Sequence, residues 1–424
     1  MLKVYIVGGY NRDKIMGLNP KDTEYCVVGS SPEEMISLGF KKVGADFPVF
    51  LNENGDEYAL ARTERKKGNG YNGFETYYGK ELTIEDDLSR RDLTINAIAL
   101  DQETGNFIDP FNGIKDIENK ILRHIGDAFK EDPLRLLRVA RFNARFSDFT
   151  IDKETMNEMK KIVKSGELEN LTKERVCVET IKALSEKSPS TYFKVLNECG
   201  ALDIIFPELK ALDGVIQPEQ YHPEGDVLTH TFMVLDEMSK ISDDPVQRFS
   251  ALVHDLGKGV TPKELLPRHH GHEEAGVPIV ENLCDRLKFP KIYKEVASVV
   301  TRQHGRMHKF NEMSPRKIDD MFIESGFNKQ NAEFKVKTLI LASYCDERGR
   351  GFSEEHKDKI KLKTEVSNIF DSWKKIKAKT YFEEKSLNVK DQKIDNIKYQ
   401  FRVRRISEIR KNMKDNEKTI KLSM

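Results

Sequence analysis

Three sets of residues in this chain have types and spacings that can do chemistry. The first is Gly8-Gly9-Tyr10-Asn11-Arg12-Asp13, followed by Asp22-Thr23-Glu24. Glycines where a strand turns into a helix let backbone N–H groups approach a polyphosphate. Asp22 and Glu24 stand two apart in an extended segment, which puts both carboxylates on one face. Two carboxylates beside a phosphate-binding turn suit metal-assisted phosphoryl transfer, with magnesium the expected ion. A glycine pair or an Asp-x-Glu alone is usually a plain turn or a solvated edge; their order within 30 residues is what gives them weight.

The second set joins Arg90-Arg91-Asp92-Leu93-Thr94-Ile95-Asn96-Ala97 to Glu131-Asp132-Pro133-Leu134-Arg135. Paired arginines can fork onto phosphates, and Asp92 and Asn96 can bond a ribose hydroxyl. Asp132 and Arg135, three apart at a predicted helix start, are expected on one face. The carboxylate would accept from a base amino group and the guanidinium would donate to ring acceptors, imitating a base-pairing edge. Arg138 and Arg141 continue the row. The same residues also read as an N-capped helix with an intrahelical ion pair. Three arginines in register weigh against that, since a purely structural face would alternate signs.

The third set is His254-Asp255-Leu256-Gly257-Lys258-Gly259 after an apolar run over 249–253, with His230 before it and Asp346 after it. Mixed imidazole and carboxylate ligands suit Ni2+, Mn2+, Mg2+ or Co2+ better than a closed structural zinc site. Eight of the ten histidines lie between His222 and His308, including His269, His270, His272, His304 and His308.

These groups need elements to hold them. Strands are expected over 4–7, 25–28, 49–51, 57–62, 93–100 and 106–108, and a short helix over 33–39. The Gly-, Asn- and Tyr-rich piece 65–80 reads as a mobile loop, either slack or gating a substrate. From Gly113 the pattern turns helical. Asp132-Pro133 opens a strong helix, and others are expected over 156–164, 175–183 and 189–199. A connector over 206–223 leads to a new helical unit from about 227 to 345, and the remainder is helical and uncertain.

Length 424 suggests two to four domains. Lys+Arg and Asp+Glu are both 70, but from Gly351 onward there are 20 against 12, a surplus of +8. That end could steer a polyanion or simply be a solvated helical face. Five scattered cysteines fit free thiols in a reducing compartment. With no run long enough for a membrane span and no evident signal peptide, a soluble cytoplasmic protein is expected.

The order Gly-Gly-x-x-Arg-Asp, Asp-x-Glu, Arg-Arg-Asp-x-x-x-Asn-Ala, Asp109 with Gly113 and Asp116, Glu-Asp-x-x-Arg, and Glu174-Arg175 with Glu179 resembles the class II tRNA nucleotidyltransferases. These are the CCA-adding enzymes, related to bacterial poly(A) polymerases. The quartet His230, His254, Asp255 and Asp346 resembles the HD phosphohydrolase superfamily, found in bacterial members of that family.

The resemblance spans about residues 1–350. It implies an α+β chain: a polymerase-β-like nucleotidyltransferase head with a small mixed sheet over 1–112, an all-α neck and body over 113–222, an HD domain over 223–350 and a helical basic tail over 351–424. It implies that Gly8, Gly9 and Arg12 hold the triphosphate, that Asp22 and Glu24 hold Mg2+, and that Glu57 is a third acid. Arg91 would contact the nucleotide, Asp132 and Arg135 would read CTP or ATP with help from Arg138 and Arg141, and Glu174 and Arg175 would stiffen the neck. The HD quartet would hold an ion such as Ni2+ or Mn2+, with His272 and His304 behind it and 268–272 facing phosphate.

The activity implied is template-independent addition or repair of the tRNA 3′-terminal CCA, with 2′,3′-cyclic phosphodiesterase or phosphatase activity in the HD domain. A monomer or homodimer would act on the tRNA 3′ end. A poly(A) polymerase with the same head, and an RNA-binding HD phosphohydrolase with an impaired head, are the alternatives. Three positions depart from the family: Glu24 stands where Asp is usual, and Tyr10-Asn11 replaces a small and aliphatic pair. The extra methylene moves a carboxylate by about 1.5 Å, large against magnesium's strict shell of about 2.1 Å.

Overall fold

The computed structural model describes residues 2–20, 22–43, 49–66, 74–358, 360, 363–375 and 399–412. The chain divides into two units, Met1–Pro207 and Glu208–Met424.

The first unit begins β1 (Lys3–Val7), α1 (Gly9–Ile15), β2 (Glu24–Val28), α2 (Pro32–Ser37), β3 (Lys41–Val43), β4 (Val49–Leu51) and β5 (Glu57–Leu60). It continues with β6 (Thr63–Lys66), β7 (Phe74–Tyr77), α3 (Ile84–Ser89), β8 (Ala99–Asp101) and β9 (Phe107–Ile108). Seven strands form one sheet in the order β3-β4-β5-β2-β1-β8-β9. β2 and β5 run parallel and the other neighbours antiparallel, so the sheet is mixed. β1 lies inside the sheet between β2 and β8, and its Tyr5-Ile6-Val7 run is buried, as a strand covered on both faces must be. Tyr5, Val7 and Cys26 pack with Ile84 and Leu88 of α3 on one face, and Val27, Met35, Phe50 and Leu60 close the other.

The helical part follows as α4 (Gly113–Glu118), β10 (Ile121–Leu122), α5 (Leu134–Arg145), β11 (Thr150–Ile151), α6 (Lys153–Lys164), α7 (Lys173–Leu184), α8 (Pro189–Cys199) and α9 (Leu202–Ile205). Leu136, Leu137, Val139, Ala140 and Ala144 of α5 are fully buried. They recur at helical spacing and leave the arginines on another stripe. Gly113 is needed where α4 begins, because a Cβ there would lie 2.2 Å from the Thr94 carbonyl oxygen.

Several sequence expectations are corrected. Residues 93–100 are not one strand. Leu93 makes an isolated bridge to His124, Thr94–Asn96 is a 3-10 turn, and only Ala99–Asp101 pairs in the sheet. The Asp92 carboxylate takes the Leu93 N–H and the Asn96 amide, each at 2.9 Å. Such local side-chain bonds compete with a strand ladder. The stretch 65–80, expected as a loop, is entered and left by β6 and β7, which pair antiparallel; 67–73 lie outside the described residues. α1 starts at Gly9, ahead of Arg12, and β2 starts at Glu24, so Asp22 lies just before the strand.

In the second unit α10 (Pro207–Lys210) marks the entry. It leads to α11 (Val227–Ile241), α12 (Pro245–Val253), α13 (His272–Arg286), α14 (Lys291–His308), α15 (Pro315–Glu324), α16 (Ala332–Arg348), α17 (Glu354–Asp358) and α18 (Thr364–Lys374). The Asp244 carboxylate accepts from the N–H groups of Val246 and Gln247, and Pro245 occupies the first turn, so α12 has a defined start. Val234, Met238, Ala251, Val300, Ala342 and Cys345 join α11, α12, α14 and α16. A second cluster gathers Phe310, Phe322, Phe327, Leu339, Phe370 and Trp373. Of the tail, α18 and 399–412 are helical, and 376–398 and 413–424 lie outside the described residues. Arg402 and the Trp373 indole both donate to the buried Asp319 carboxylate at 2.6 Å, which fixes the last described helix. All five cysteines are buried free thiols. Among the described residues, no helix is long and apolar enough to cross a membrane.

Candidate nucleotide cleft and metal centre

A cleft of ≈ 690 Å³ in the first unit is lined by Gly8, Gly9, Arg12, Asp22, Glu24 and Glu57 on one side. Arg91, Asp92, Asn96, Asp132, Arg135, Arg138 and Arg141 line it as well. Thus the residues expected to hold the triphosphate, the magnesium and the nucleotide border a single space. The β2–β5 register pairs Tyr25 with Tyr58. Glu24 and Glu57, one residue earlier on each parallel strand, therefore share a face. Asp22, Glu24 and Glu57 are all solvent-exposed.

Gly8 has φ 77 and ψ −143, a region open essentially to glycine alone. A Cβ there would stand 2.8 Å from Glu24 Oε2 and 3.2 Å from Arg91 Nη1. The glycine therefore lets an acid and a base reach across the turn. Exposed acids lining a cleft beside that turn offer hard oxygen donors of the kind a magnesium ion takes.

Behind the wall runs a buried polar chain. Arg12 Nη1 donates to Asn96 Oδ1 at 2.6 Å, Asn96 Nδ2 donates to Asp92 Oδ1 at 2.9 Å, and Arg138 Nε donates to Asp92 Oδ2 at 2.6 Å. Burial alone would raise the Asp92 carboxyl, but Arg138 and Asn96 outweigh it and bring it down to about 2. Arg138 is in turn held protonated above the usual arginine range, mainly by Asp92. Arg12 stacks on Phe142 and Phe146 at 5.2 and 5.4 Å and is 4% exposed, so burial lowers its pKa. Arg12 is thus built into the wall rather than extended into the cleft. Asp87 is buried under Arg90 and Arg91; it takes Arg90 Nη2 at 2.6 Å and Arg91 Nη2 at 3.2 Å. Burial raises its carboxyl, and the two arginines overcome that and lower it.

The expected side-by-side placing of Asp132 and Arg135 on one helix face is also corrected. Asp132 precedes α5 in extended conformation, with φ −119 and ψ 103. Its Oδ1 accepts the Leu134 N–H at 3.1 Å and its Oδ2 accepts from Arg175 Nη2 at 2.7 Å. Pro133 supplies the turn between them, because the residue before a proline is driven away from helical backbone. Arg135 donates to the carbonyls of Arg90 at 2.6 Å, Ala128 at 3.0 Å and Arg91 at 3.3 Å. Farther along α5, Arg141 donates to Glu179 and to Glu186, and Arg145 to Asp13 at 2.9 Å. Arg138, Arg141 and Arg145 are thus paired with acids from other elements, which accounts for the like signs along α5.

In the second unit, five rings stand against two carboxylates. His230 Nε2 is 3.0 Å from Asp346 Oδ1 and 3.9 Å from Asp255 Oδ2. His254 Nε2 is 3.1 Å from Asp255 Oδ2 and 3.9 Å from Asp346 Oδ1. The His254 Nδ1 donates to the Ala251 carbonyl at 2.7 Å, and His230 Nδ1 faces Glu224 Oε1 at 2.8 Å. Each ring thus turns Nε2 inward. His254 Nε2 and both Asp255 oxygens are buried without an aligned hydrogen bond, although Lys258 Nζ stands 2.7 Å from Asp255 Oδ2. Such orphaned donor atoms fit a divalent cation. Burial raises Asp255 and Asp346, but the surrounding histidines, joined by Lys258 at Asp255, hold both well below the usual carboxylate range. His308 is raised to about 9 against its burial, by Asp346 at 2.6 Å and Glu347 at 2.9 Å. His272 and His304 do not sit behind the ligands as expected: their Nε2 atoms face Asp255 Oδ1 directly at 3.3 and 3.4 Å.

Some contributors escaped the sequence reading. Arg62 lines the cleft, as does Arg175, which the sequence reading took only for a stiffener of the neck, and Glu224 backs His230 while accepting the Gly351 N–H at 2.9 Å. Asp87 stands at helical spacing from Arg90 and Arg91, which was a usable signal; Glu224 offered none.

The comparisons agree with this layout. The poly A polymerase head domain matches residues 4–123, the probable RNA and SrmB-binding site of polymerase A matches 148–212, and the HD domain matches 227–333. Among solved structures, a CCA-adding enzyme in apo form II is 19% identical with TM-score 0.64, covering 98% of this chain and 92% of that one. A CCA-adding enzyme complex with CTP is 19% identical with TM-score 0.59, covering 98% and 91%. The Thermotoga maritima CCA-adding enzyme complexed with tRNA is 19% identical with TM-score 0.58, covering 97% and 92%. At this identity the likeness establishes a common fold.

Proposed function

We propose, from the premise that the chain carries a poly A polymerase head domain, its RNA-binding segment and an HD domain, that it adds or repairs the 3′-terminal CCA of tRNA. The observation that carries this reading is the single cleft in which Asp22, Glu24 and Glu57 face the residues around α5. The RNA 3′-hydroxyl attacks the α-phosphorus of CTP or ATP, and pyrophosphate leaves. Asp22 and Glu24 would hold magnesium, which would supply charge stabilisation at the transferring phosphoryl group. Arg91, fixed by Asp87, is placed to meet the triphosphate. Asp132, fixed by Arg175, presents an acceptor to the exocyclic amino group shared by cytosine and adenine. Arg135, held by the backbone carbonyls of Ala128 and Arg90, borders the same cleft as Asp132.

The HD domain removes phosphate from RNA ends, as a 2′,3′-cyclic phosphodiesterase or phosphatase. His230, His254, Asp255 and Asp346 would hold a divalent transition metal, which would supply Lewis-acid polarisation of a phosphoryl oxygen. Lys258, bonded to Gln217 Oε1 at 2.8 Å, keeps a positive charge beside the carboxylates.

The test is the purified chain with tRNA lacking CCA, each nucleoside triphosphate in turn, and products sized to the nucleotide. Two C residues from CTP alone, then one A, are expected; A-tailing without C would favour the poly(A) polymerase that the head's likeness also allows. Asp22→Ala should abolish CMP incorporation, and full activity in it would refute the head assignment. His254→Ala with Asp255→Ala should lose cyclic-phosphate hydrolysis and keep nucleotide addition.

A further inference from the structure

We infer that Arg145, rather than Arg12, supplies the guanidinium that meets the β- and γ-phosphates of the incoming nucleoside triphosphate. This rests on the reading of the cleft as a nucleotide site. Arg12 is spent inside the wall. Its Nε donates to Asp13 Oδ1 at 2.9 Å, its Nη1 donates to Asn96 Oδ1 at 2.6 Å, and its Nη2 stands 2.8 Å from the same Asp13 oxygen. Each of its nitrogens therefore already has a partner, and Phe142 and Phe146 lie against the group.

Arg145 is placed differently. It closes α5 on the stripe that it shares, at helical spacing, with Arg138, Arg141 and Phe142, and it borders the cleft. Its Nη2 donates to Asp13 Oδ2 at 2.9 Å, and among the described residues that is its one hydrogen bond. Its side chain is 33% exposed, against 11% for Arg141, which is committed to Glu179 and Glu186. Asp13 is one carboxylate between two guanidiniums. The Arg12–Asp13–Arg145 set thus keeps one positive charge, and Arg145 is the member that carries it to the cleft. A guanidinium with an open edge can take two phosphate oxygens at once.

Position along the helix selects the end of the nucleotide. Asp132, proposed to meet the base, lies just before α5. Arg145 is at the opposite end, about 15 Å along the axis from Arg135 at 1.5 Å per residue. The glycine turn is at that end as well. A Cβ on Gly9 would stand 3.1 Å from Arg12 Nη2, and Arg12 shares Asp13 with Arg145. A nucleotide that offers its base to Asp132 therefore extends its polyphosphate toward Arg145, where the turn and a cation border the same space.

The test is equilibrium binding by the full chain without RNA, with Mg2+ present. It compares CTP with CMP, which lacks the β- and γ-phosphates. Titration calorimetry should show the parent binding CTP more tightly. Arg145→Gln should weaken CTP about 10–100-fold and leave CMP unchanged; a purely structural role would weaken both alike. Arg145→Lys keeps the ion pair with Asp13, and it carries the test if a melting curve shows the Gln variant unfolded. It should still lose CTP affinity, since an ammonium engaged by Asp13 cannot fork onto a phosphate. Arg12→Lys should shift the two affinities together. Equal CTP and CMP affinities in the parent, an unchanged ratio in the folded Arg145 variants, or a CTP-selective loss confined to Arg12→Lys overturns the role of Arg145 and leaves the cleft a nucleotide site. No binding of CTP by the parent overturns both.

Discussion

Gly8→Ala isolates what the glycine turn does for the neighbouring acid. The substitution acts twice. Holding a non-glycine residue at φ 77 and ψ −143 costs about 1–3 kcal/mol. In addition, the new Cβ would stand 2.8 Å from Glu24 Oε2, and restoring an ordinary contact needs a retreat of about 0.5 Å. A displacement of 1 Å at a reacting centre costs roughly 100-fold in rate, so half of that should lower CMP incorporation roughly 10-fold. Stability of the first unit should fall with it, moving its urea midpoint down by roughly 0.5–1 M. The decisive assay is single-turnover incorporation at saturating CTP, compared among Gly8→Ala, Glu24→Asp and the double variant. A shorter acid clears the Cβ but leaves the backbone strain. The double variant should therefore be faster than the product of the single effects predicts, while its urea midpoint stays low. Simple multiplicative losses, or wild-type incorporation by Gly8→Ala despite lost stability, would show that the glycine serves the backbone alone.

Asp92 offers a pH test. Its folded pKa of about 2 lies below the unfolded value of about 3.9, so its contribution is present above about pH 4 and fades as pH falls toward 2; the gap is worth about 2 kcal/mol. Asp92→Asn should be less stable at pH 7 because it leaves Arg138 without its buried partner. It should also lose less further stability than wild type between pH 5 and pH 3, and equal losses in urea titrations would count against the argument. Arg175→Ala releases the Asp132 carboxylate and should lower the preference for CTP over UTP about 10-fold; an unchanged ratio in competition assays would mean that Asp132 does not read the base.

Much of the head is legible in the sequence because its signals are local. A glycine at a strand end, acids two apart and a proline-opened helix each imply a geometry over a few residues. The same locality explains the errors. Residues 93–100 have strand composition, yet Asp92 and Asn96 fold back on each other and break the ladder. Asp132 and Arg135 have helical spacing, but Pro133 excludes Asp132 from the helix, and its partner comes from α7, 43 residues on.

By itself the sequence determined the chemical inventory and its order: the acid pair at Asp22 and Glu24, the arginine-rich helix, the His254-Asp255 pair and the change from strands to helices. These follow from residue type and short spacing, which the backbone periodicities of 2 and 3.6 convert directly into faces. The tertiary structure alone decided which charges meet. Arg145 finds Asp13 across 132 positions, Arg138 finds Asp92 across 46, and His230 finds Asp346 across 116. No period links such pairs, because an ion pair or a ligand set needs proximity in space and places no constraint on the length of chain between its members.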